Sequence, residues 1–439
     1  MTEKGDRLFW IWLSRALGEE NAWYPLLLEK FGTPYDIFRA DEEELDALIP
    51  ELGRKEKAAL LKKNLDDAYE IMEYCKRNEY QLLCYDDRRY PLSYRSLKAP
   101  PLLLYYRGAL PDFQTWLHIA VVGPRKMSEY GCRTAYKIAY ELACAGAVIV
   151  SGMALGVDSI ASCAALAAGG STVAILGSGI DVPYPPEHAG FQRVLEQKAL
   201  VMTEYAPGSE PLGYHFPQRN RLISGLAQGT LVVEGDERSG ALITAERALM
   251  QGRDVYAIPA NVGDKNAAGT NALIRDGARV ALCADDILKH YQMLFRDTLK
   301  QGSASMGQRS DYDADMALRM GVYTRASGGR ERVLVASLRE ERVPIKKNDA
   351  SAKNKRTPKV RADAPEKPKP CEADHSSERL ASLGERERKV FEAIPMDRPV
   401  AIDRLQSLGY ATGEVLAALS LLEIQGLVQS LPGGLYSRL

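Results

Sequence analysis

Short runs in which nearly every position is apolar recur between residues 116 and 295. They lie at His118–Val122, Ala147–Val150, Thr172–Leu176, Leu200–Met202, Thr230–Val233, Val255–Ile258 and, as a seventh candidate, Arg279–Leu282. Apolar side chains on both faces are typical of strands in a parallel sheet that helices cover on both sides. The intervening segments are long enough for helical crossovers. The pattern therefore predicts an α/β domain with a Rossmann-like, right-handed, doubly wound and mostly parallel sheet.

A helical period replaces these runs in residues 1–80. Apolar positions at helical spacing predict helices over Leu8–Leu17, Trp23–Phe31 and Arg54–Arg77, and the phrase Phe31-Gly32-Thr33-Pro34 ends the second of them. We expect a small helical module of the SAM or helix-hairpin-helix type. Some such modules clamp DNA, but the paired hairpin glycines are not evident. Structural or dimer packing is therefore favoured, and DNA contact is the alternative.

Residues 384–439 show the element order of a winged helix. The predicted elements are a helix at Arg386–Ile394, a short element near 402–408, a helix at Gly413–Gln425, a strand at Leu427–Gln429, a turn at 432–434 and a strand at Leu435–Tyr436. Winged helices often bind DNA through the second helix of the pair. That helix carries Glu414 and Glu423 and no Lys or Arg, so phosphate should repel it. We expect it to contact protein, with weak DNA contact as the alternative.

A segment rich in Lys, Pro and Ala separates the α/β domain from the winged helix. Residues 296–383 bury too little apolar surface to offset the entropy of ordering, which predicts a flexible, locally basic linker. A solvated tether is the favoured interpretation, and a weak nucleic-acid tether is the alternative. The predicted organisation is a helical module at 1–80, a lead-in and α/β core at 81–295, the linker, and a winged helix at 384–439.

Charge and cysteine content narrow the functional classes. The 57 Lys and Arg residues against 58 Asp and Glu residues leave a net charge of −1, so any nucleic-acid surface must be local. The seven cysteines form no CxxC pair or zinc-site spacing, which predicts reduced thiols, no metal and no cofactor. No signal peptide or apolar run of about 18 residues is present. We therefore expect a cytoplasmic protein without membrane contact.

Glycine-containing turns follow the first three core strands. The candidate binding residues in these turns are Gly123, Arg125 and Lys126, then Ser151, Gly152 and Gly156, then Gly177, Ser178 and Gly179. Glycines let an anion approach the backbone closely, and a helix N-terminus behind them offers free N–H groups. The three turns predict a phosphate cradle at the carboxyl edge of the sheet. A single glycine turn would more often be only a tight turn.

The segment Phe216-Pro217-Gln218-Arg219-Asn220-Arg221 adds aromatic and cationic side chains. Arg219 and Arg221 are suited to bidentate phosphate contact, with Asn220 between them, and Phe216 offers a stacking face for a base. Core packing of Phe216, and pairing of the arginines with acids such as Glu204 or Glu234, are the alternatives. If the arginines face DNA, replacing both by Ala should weaken binding and leave the melting temperature nearly unchanged.

A further helix start adds backbone donors to the same edge. Ser239 and Gly240 open a helix after the run at Thr230–Val233, where Ser239 is suited to cap it and Gly240 to donate its amide.

The ordered blocks VVGPRK, SGMALGVDS, ILGSGIDVPYP, FPQRNRLISGL, LVVEGDERSGALITAERAL and GTNALIRDGA resemble the core of the DNA processing protein A (DprA/Smf) family. The resemblance covers about 117–282. It implies an extended Rossmann fold that binds single-stranded DNA without strong sequence preference, forms a homodimer and hands the strand to the RecA recombinase in natural transformation. It places Arg125, the glycines of the second and third turns, and Phe216, Arg219 and Arg221 in the DNA cleft.

Four positions depart from the family pattern. Pro124 stands for a serine, Leu155 for an arginine, Ser162 for a histidine and Ala260 for a glycine. The loss of one cation and one backbone donor should weaken phosphate contact without changing the fold.

Catalysis is the less favoured class. Nucleotide phosphoribohydrolases of the lysine-decarboxylase-like group resemble this core in outline, but Gly269-Thr270-Asn271 stands where their PGGxGT turn would be. Walker A, GxSxG and HExxH motifs are absent. Asp158, Asp181 and Glu234 are more simply read as helix caps or partners of arginine. A nucleotide-sensing regulator whose winged helix reads duplex DNA is a third alternative.

Overall fold

The computed structural model describes residues 3–300 and, near the C-terminus, 385–395, 400–401, 415, 418–419, 422, 427–431 and 435–438. Across these residues, no helix has the length and apolar character needed to span a bilayer. In the same ranges, no group of His, Cys, Asp and Glu side chains is arranged to hold a metal ion.

Residues 3–300 form nine strands and fourteen α-helices. The strands are β1 Gln81–Cys84, β2 Leu103–Gly108, β3 His118–Val122, β4 Val148–Ser151, β5 Thr172–Ile175, β6 Leu200–Thr203, β7 Gly229–Val232, β8 Asp254–Ala257 and β9 Arg279–Val280. The helices are α1 Glu3–Leu17, α2 Tyr24–Phe31, α3 Pro34–Arg39, α4 Glu42–Leu48, α5 Arg54–Leu61, α6 Asp66–Arg77, α7 Leu92–Arg95, α8 Glu129–Cys144, α9 Val157–Ala167, α10 Ala189–Lys198, α11 His215–Leu226, α12 Gly240–Met250, α13 Ala268–Arg275 and α14 Ala284–Leu288. Short 3-10 helices lie at Pro186–His188 and Lys265–Ala267.

The nine strands form one sheet in the order β1-β2-β6-β5-β4-β3-β7-β8-β9. Strands β3 to β9 are mutually parallel, whereas β2 is antiparallel to β6 and to β1. The prediction of a doubly wound, mostly parallel α/β sheet is confirmed, and each of the seven apolar runs contributes a strand. Sequence patterning missed β1 and β2, which extend the sheet beyond β6.

Alternate residues of the central strands pack into two separate hydrophobic cores. Ile119 and Val121 face one core with α8 and α9, whereas Ala120 and Val122 face the other with α11 and α12. Because both faces are covered, each position must be apolar, which is the pattern that the sequence shows.

The N-terminal helices pack against β1 and β2 through their own apolar core. The predicted helix over Arg54–Arg77 is wrong in one respect, because the chain leaves the helix between α5 and α6. There the Asn64 side chain accepts a hydrogen bond from the Asp66 N–H at 2.7 Å, a local bond that competes with helix continuation. Helices α3 and α4 were also missed, although Thr33 caps the first and Asp41 forms a capping box with the second.

The folded α/β segment continues to Lys300. Leu299 is buried in the core of the sheet's α8 face, and the Lys300 N–H donates to the Ala145 carbonyl at 2.9 Å. The packed chain thus runs five residues past the predicted start of the linker at 296. The rest of that predicted linker lies outside the described residues, and its flexibility stays a prediction.

The C-terminal residues contain helix α15 (Glu385–Glu392) and strands β10 (Val400–Ala401), β11 (Val428–Leu431) and β12 (Leu435–Arg438). β12 is the middle strand and is antiparallel to both neighbours. Buried apolar residues recur at helical spacing at Val415, Ala418, Leu419 and Leu422. These features are those of the predicted winged helix. The predicted element near 402–408 and the turn at 432–434 lie outside the described residues.

Candidate nucleic-acid interface

A cleft of about 570 Å³ opens at the carboxyl edge of the sheet, beside β3 and β7. From β3 the chain proceeds through β4, β5 and β6 on one side, then crosses to β7, β8 and β9 on the other. Ligands of open α/β sheets bind at this kind of switch point, because the flanking loops diverge there and leave a crevice. The walls are the loop after β3, one face of α11, the start of α12 and the loop after β8.

The lining of the cleft is rich in cations. Five of its residues are Lys or Arg and two are acidic: the cations are Arg125, Lys126, Arg219, Arg238 and Lys265, and the acids are Asp158 and Asp236. Four of the five cations are exposed, Arg219 being the exception. Within residues 3–300, none of these four exposed side chains forms an ion pair with a carboxylate of the protein. Their charge is therefore available to an anionic ligand.

Two aromatic rings lie beside one of these cations. The ring centroids of Phe216 and Tyr184 are 4.9 Å apart, and the Arg125 guanidinium carbon lies 5.1 Å from the first centroid and 5.8 Å from the second. Phe216 is half-buried, so part of its ring packs against the protein and part remains exposed for stacking. Its ring covers Gly177, where an added Cβ would lie 3.0 Å from the ring. Gly177 thus serves close packing beneath the aromatic pair.

Arg219 lines the cleft but is only 4% exposed. Its Nη1 donates to the Gly152 carbonyl at 2.8 Å and to the Ile175 carbonyl, and its Nε donates to the Asn220 side chain at 3.2 Å. Burial lowers the pKa of the guanidinium. Arg219 thus ties the ends of β4 and β5 to α11, so we expect its loss to lower the melting temperature, in contrast to the expectation from the sequence.

Arg221 lies away from the cleft lining and is also 4% exposed. Its Nη2 is 2.5 Å from Oε2 of Glu204, a residue at the end of β6 that is 3% exposed. Burial raises the pKa of Glu204 to about 7 although the arginine opposes that shift. Of the two interpretations left open for Arg221, intramolecular pairing with Glu204 is the one that the structure has.

The second and third glycine turns do not form the predicted open cradle. Gly152, Gly156, Gly177 and Gly179 are buried, and Ser151 and Ser178 are also buried. The polar groups of these turns bond within the protein: Ser151 Oγ to the Val121 carbonyl, Gly152 N–H to Asp158, Ser178 Oγ to the Val182 carbonyl, and Gly179 N–H to the Ser209 carbonyl. Of the nine turn residues predicted to bind, Gly123, Arg125 and Lys126 line the cleft.

The N-terminus of α8 behind the first turn already holds an anion from the protein itself. The Glu234 carboxylate accepts from the Ser128 N–H at 3.0 Å and from the Ser128 hydroxyl, and an added Cβ at Gly131 would collide with it. The predicted phosphate site at this helix is therefore occupied by a side chain, and Arg219 and Arg221 have partners other than Glu234.

The start of α12 has the predicted helix cap and lies at the predicted edge of the sheet. Ser239 caps the helix by accepting from the Ala241 N–H at 3.3 Å, and Gly240 is exposed in the cleft. The Asn220 side-chain amide donates to the Gly240 carbonyl at 3.4 Å and joins α11 to α12. Asn220, Ser239 and Gly240 thus lie together at one wall.

The four departures from the family pattern have different settings. Pro124 lines the cleft, Leu155 is half-buried, Ser162 accepts from Thr172 in the core at 3.2 Å, and Ala260 exchanges two hydrogen bonds with the Asn271 side chain. Only the first of them reaches the cleft lining.

Sequence reasoning missed Arg238 and Lys265 as residues of the cleft lining, and Tyr184 as the aromatic partner of Phe216. Each lies in a loop that follows a strand of the parallel sheet. Because the carboxyl ends of parallel strands meet at one edge, this rule would have included all three residues. Tyr184 follows the turn at Gly177 to Gly179 and Arg238 directly precedes Ser239 and Gly240, so both stand beside residues that were identified.

A family model described as DNA recombination-mediator protein A matches residues 81–292, and one described as DprA winged helix domain matches 374–434. The DNA processing protein DprA of Streptococcus pneumoniae is 40% identical over 228 residues, which cover 52% of this chain and 79% of that protein. Protein Smf of Synechocystis is 29% identical over 442 residues, covering 99% of both.

A solved structure shares the fold. The X-ray structure of DprA from Streptococcus pneumoniae superposes with a TM-score of 0.56 and 32% sequence identity, covering 64% of this chain and 97% of that one.

Proposed function

The chain belongs to the DNA recombination-mediator protein A (DprA/Smf) family, and we propose that it binds single-stranded DNA in the cleft beside β3 and β7 during DNA processing. The observation that carries the proposal is the set of four exposed cations in the cleft that form no ion pair within residues 3–300, one of which, Arg125, lies beside an aromatic pair. Arg125 and Lys126 stand on the β3 side of the cleft, and Arg238 and Lys265 follow β7 and β8. A sugar-phosphate chain that crosses the cleft meets positive charge on both walls.

The aromatic pair favours an unpaired strand over a duplex. A base offers its face for stacking only when its neighbours in a helix have been removed, and stacking on Phe216 or Tyr184 requires that free face. In a duplex the same rings would meet only the outer backbone. The nearly neutral whole chain, at a net charge of −1, adds no general attraction for duplex DNA.

The buried groups of the cleft support the contacts from below. Arg219 holds α11 against the ends of β4 and β5, and Gly177 lets the Phe216 ring sit close to the backbone. Gly240 presents the N-terminus of α12 to the same space, where helix N–H groups favour a phosphate. Binding is thus assigned to Arg125, Lys126, Phe216, Asn220, Arg238, Ser239, Gly240 and Lys265, with Gly123 shaping the turn.

The test measures fluorescence anisotropy of labelled oligothymidine and of a hairpin duplex over a salt series. Log affinity for the single strand should fall with log salt by about 0.7 per phosphate neutralised. The variant Arg125→Ala/Lys126→Ala should lower that slope by about 1.4. A matched control, Arg193→Ala/Lys198→Ala, removes the same charge from exposed positions on α10 and should leave the slope unchanged. Equal affinity for the duplex, or equal slopes for the two variants, would refute the proposal.

Membership in the family also supports two further parts of the proposal, homodimerisation and transfer of the bound strand to RecA during natural transformation. Sedimentation equilibrium should give twice the mass of one chain. Purified RecA should sediment with the protein and oligothymidine together. A monomer, or RecA recovered only in the free fraction, would remove the respective part and leave strand binding standing.

We further propose that the cleft performs no catalysis. Its buried carboxylate, Asp158, accepts a hydrogen bond from the Gly152 N–H at 3.1 Å near the start of α9, which is a structural role. Incubation with nucleoside monophosphates should release no free base, as followed by chromatography. Release of base would instead support the phosphoribohydrolase alternative.

A further inference from the structure

Helix α11 has two functional faces. Phe216, Arg219, Asn220 and Ile223 recur at helical spacing and face the cleft. Arg221 lies on another face of the same helix, where it is paired with Glu204. Any rotation or shift of α11 would therefore move Phe216 and Asn220 relative to the cations of the β3 loop.

The N-terminal helical module reaches this buried pair with a carboxylate from the connection between α1 and α2. Glu20, in the connection between α1 and α2, places Oε1 at 3.7 Å from Arg221 Nε and at 3.7 Å from Arg247 Nη1 of α12. The backbone of Glu20 is in the left-handed region at φ 53°, which a non-glycine residue adopts only when its surroundings hold it there. One side chain of the module thus contacts both helices that form a wall of the cleft.

Glu204 and Glu20 are the ion-pair partners of the buried Arg221 guanidinium. Its Nε and Nη1 are buried and, among residues 3–300, have no hydrogen-bond partner. A buried guanidinium is costly unless carboxylates compensate it, and removal of one partner leaves an uncompensated charge. Loss of Glu204 should therefore drive α11 to shift so that the cation regains water.

We propose that Arg221 is a positioning residue, and that with Glu204 and Glu20 it holds α11 in register and couples the N-terminal module to the single-stranded DNA cleft. The proposal rests on the proposed function of that cleft. It assigns the second arginine of the FPQRNR block to alignment of the helix and not to phosphate contact.

Salt linkage separates alignment from contact. A residue that touches phosphate releases counterions, so its loss lowers the salt slope by about 0.7, whereas a residue that acts through the helix changes affinity at constant slope. Non-contacting residues of a coupled network change affinity by about 2- to 30-fold. Removal of the Glu204 charge also has opposite effects under the two hypotheses. If Arg221 contacts phosphate, loss of this competing acid should strengthen DNA binding. If Arg221 aligns α11, the same loss should weaken DNA binding.

The experiment measures oligothymidine affinity over a salt series for the full chain and for Arg221→Met, Glu204→Gln, Glu20→Gln and the double variant Arg221→Met/Glu204→Gln. We expect each single variant to bind about 2- to 30-fold more weakly with an unchanged slope. The uncharged double variant should recover most of the lost affinity, because neither charge is then left alone. Arg221→Gln, which also removes the charge, replaces Arg221→Met if the latter does not fold.

Three outcomes would overturn the inference. The first is a slope reduced by about 0.7 in Arg221→Met that the double variant shares, and the second is tighter binding by Glu204→Gln. Wild-type affinity in all three single variants would also overturn it. Failure of the proposed function itself is distinct, because oligothymidine would then bind neither the wild type nor the Arg125→Ala/Lys126→Ala variant in a salt-dependent way.

Discussion

Replacement of Arg219 by Met tests whether this cleft residue supports the fold. Methionine keeps much of the apolar volume of the side chain but removes every donor, so the carbonyls of Gly152 and Ile175 lose the Nη1 hydrogen bonds described above. Each buried acceptor without a donor costs about 1–3 kcal/mol, which gives about 2–6 kcal/mol for the pair. At about 2–4 °C per kcal/mol for a domain of this size, the melting temperature should fall by roughly 5–20 °C.

The assay is thermal unfolding followed by circular dichroism, with urea unfolding at 25 °C as a second measure. Arg125→Met is the matched control, because it removes the same group from an exposed position in the same cleft. Its unfolding free energy should stay within about 0.5 kcal/mol of the wild type. If Arg219→Met and Arg125→Met unfold at the same temperature, the assignment of Arg219 as a structural tie between strands is refuted.

Three further predictions concern single positions. Phe216→Ala should weaken oligothymidine binding by ~1–3 kcal/mol at an unchanged salt slope, whereas Phe216→Trp should keep affinity; equal affinities in all three proteins would contradict stacking. Burial lowers the pKa of His118 to about 4, so as pH falls from about 6.5 toward 4 the unfolded chain gains a proton that the folded protein does not, and stability falls by up to about 3 kcal/mol. Urea titrations should show that His118→Gln lacks this part of the pH profile, and a profile parallel to the wild type would argue against it. Gly156→Ala should destabilise by more than ~1–3 kcal/mol, since φ is 86° and a Cβ would also strike the Pro124 carbonyl; Gly252→Ala, at φ 67° with open space, should cost clearly less in the same assay, and equal losses would count against the steric argument.

The α/β core could be predicted because its signal is local. A strand buried on both faces needs an apolar side chain at each position, and seven such runs stand in the sequence at the sites of β3 to β9. The placement of Arg125, Lys126, Asn220, Ser239 and Gly240 at one edge also followed, since parallel strands end at a common edge. Strand β2 was missed although residues 102–106 form an apolar run like those of the core strands, whereas β1 is a four-residue strand that begins with a polar residue, Gln81.

The roles of neighbouring residues within the site could not be read in the same way. Arg219 and Arg221 are two positions apart on a helix that turns about 100° per residue, so they point to different sides of it. Helical periodicity predicts that the two side chains point in different directions, but it does not predict which of them faces the cleft. That choice depends on the Gly152 and Ile175 carbonyls and on Glu204, which arrive from distant parts of the chain.

The same limit applies to the glycine turns. Their residue types are equally suited to an open anion cradle and to tight internal packing, and the local backbone is alike in both cases. Here the amide of Gly152 meets Asp158, and the N-terminus of α8 meets Glu234. The local pattern of side chains alone determined that seven apolar runs form a parallel sheet. It also determined the edge of the sheet at which the binding residues lie. Tertiary packing decided which polar groups stay free there, because a buried donor or charge is satisfied by whichever partner the fold brings nearest, whatever its distance in sequence.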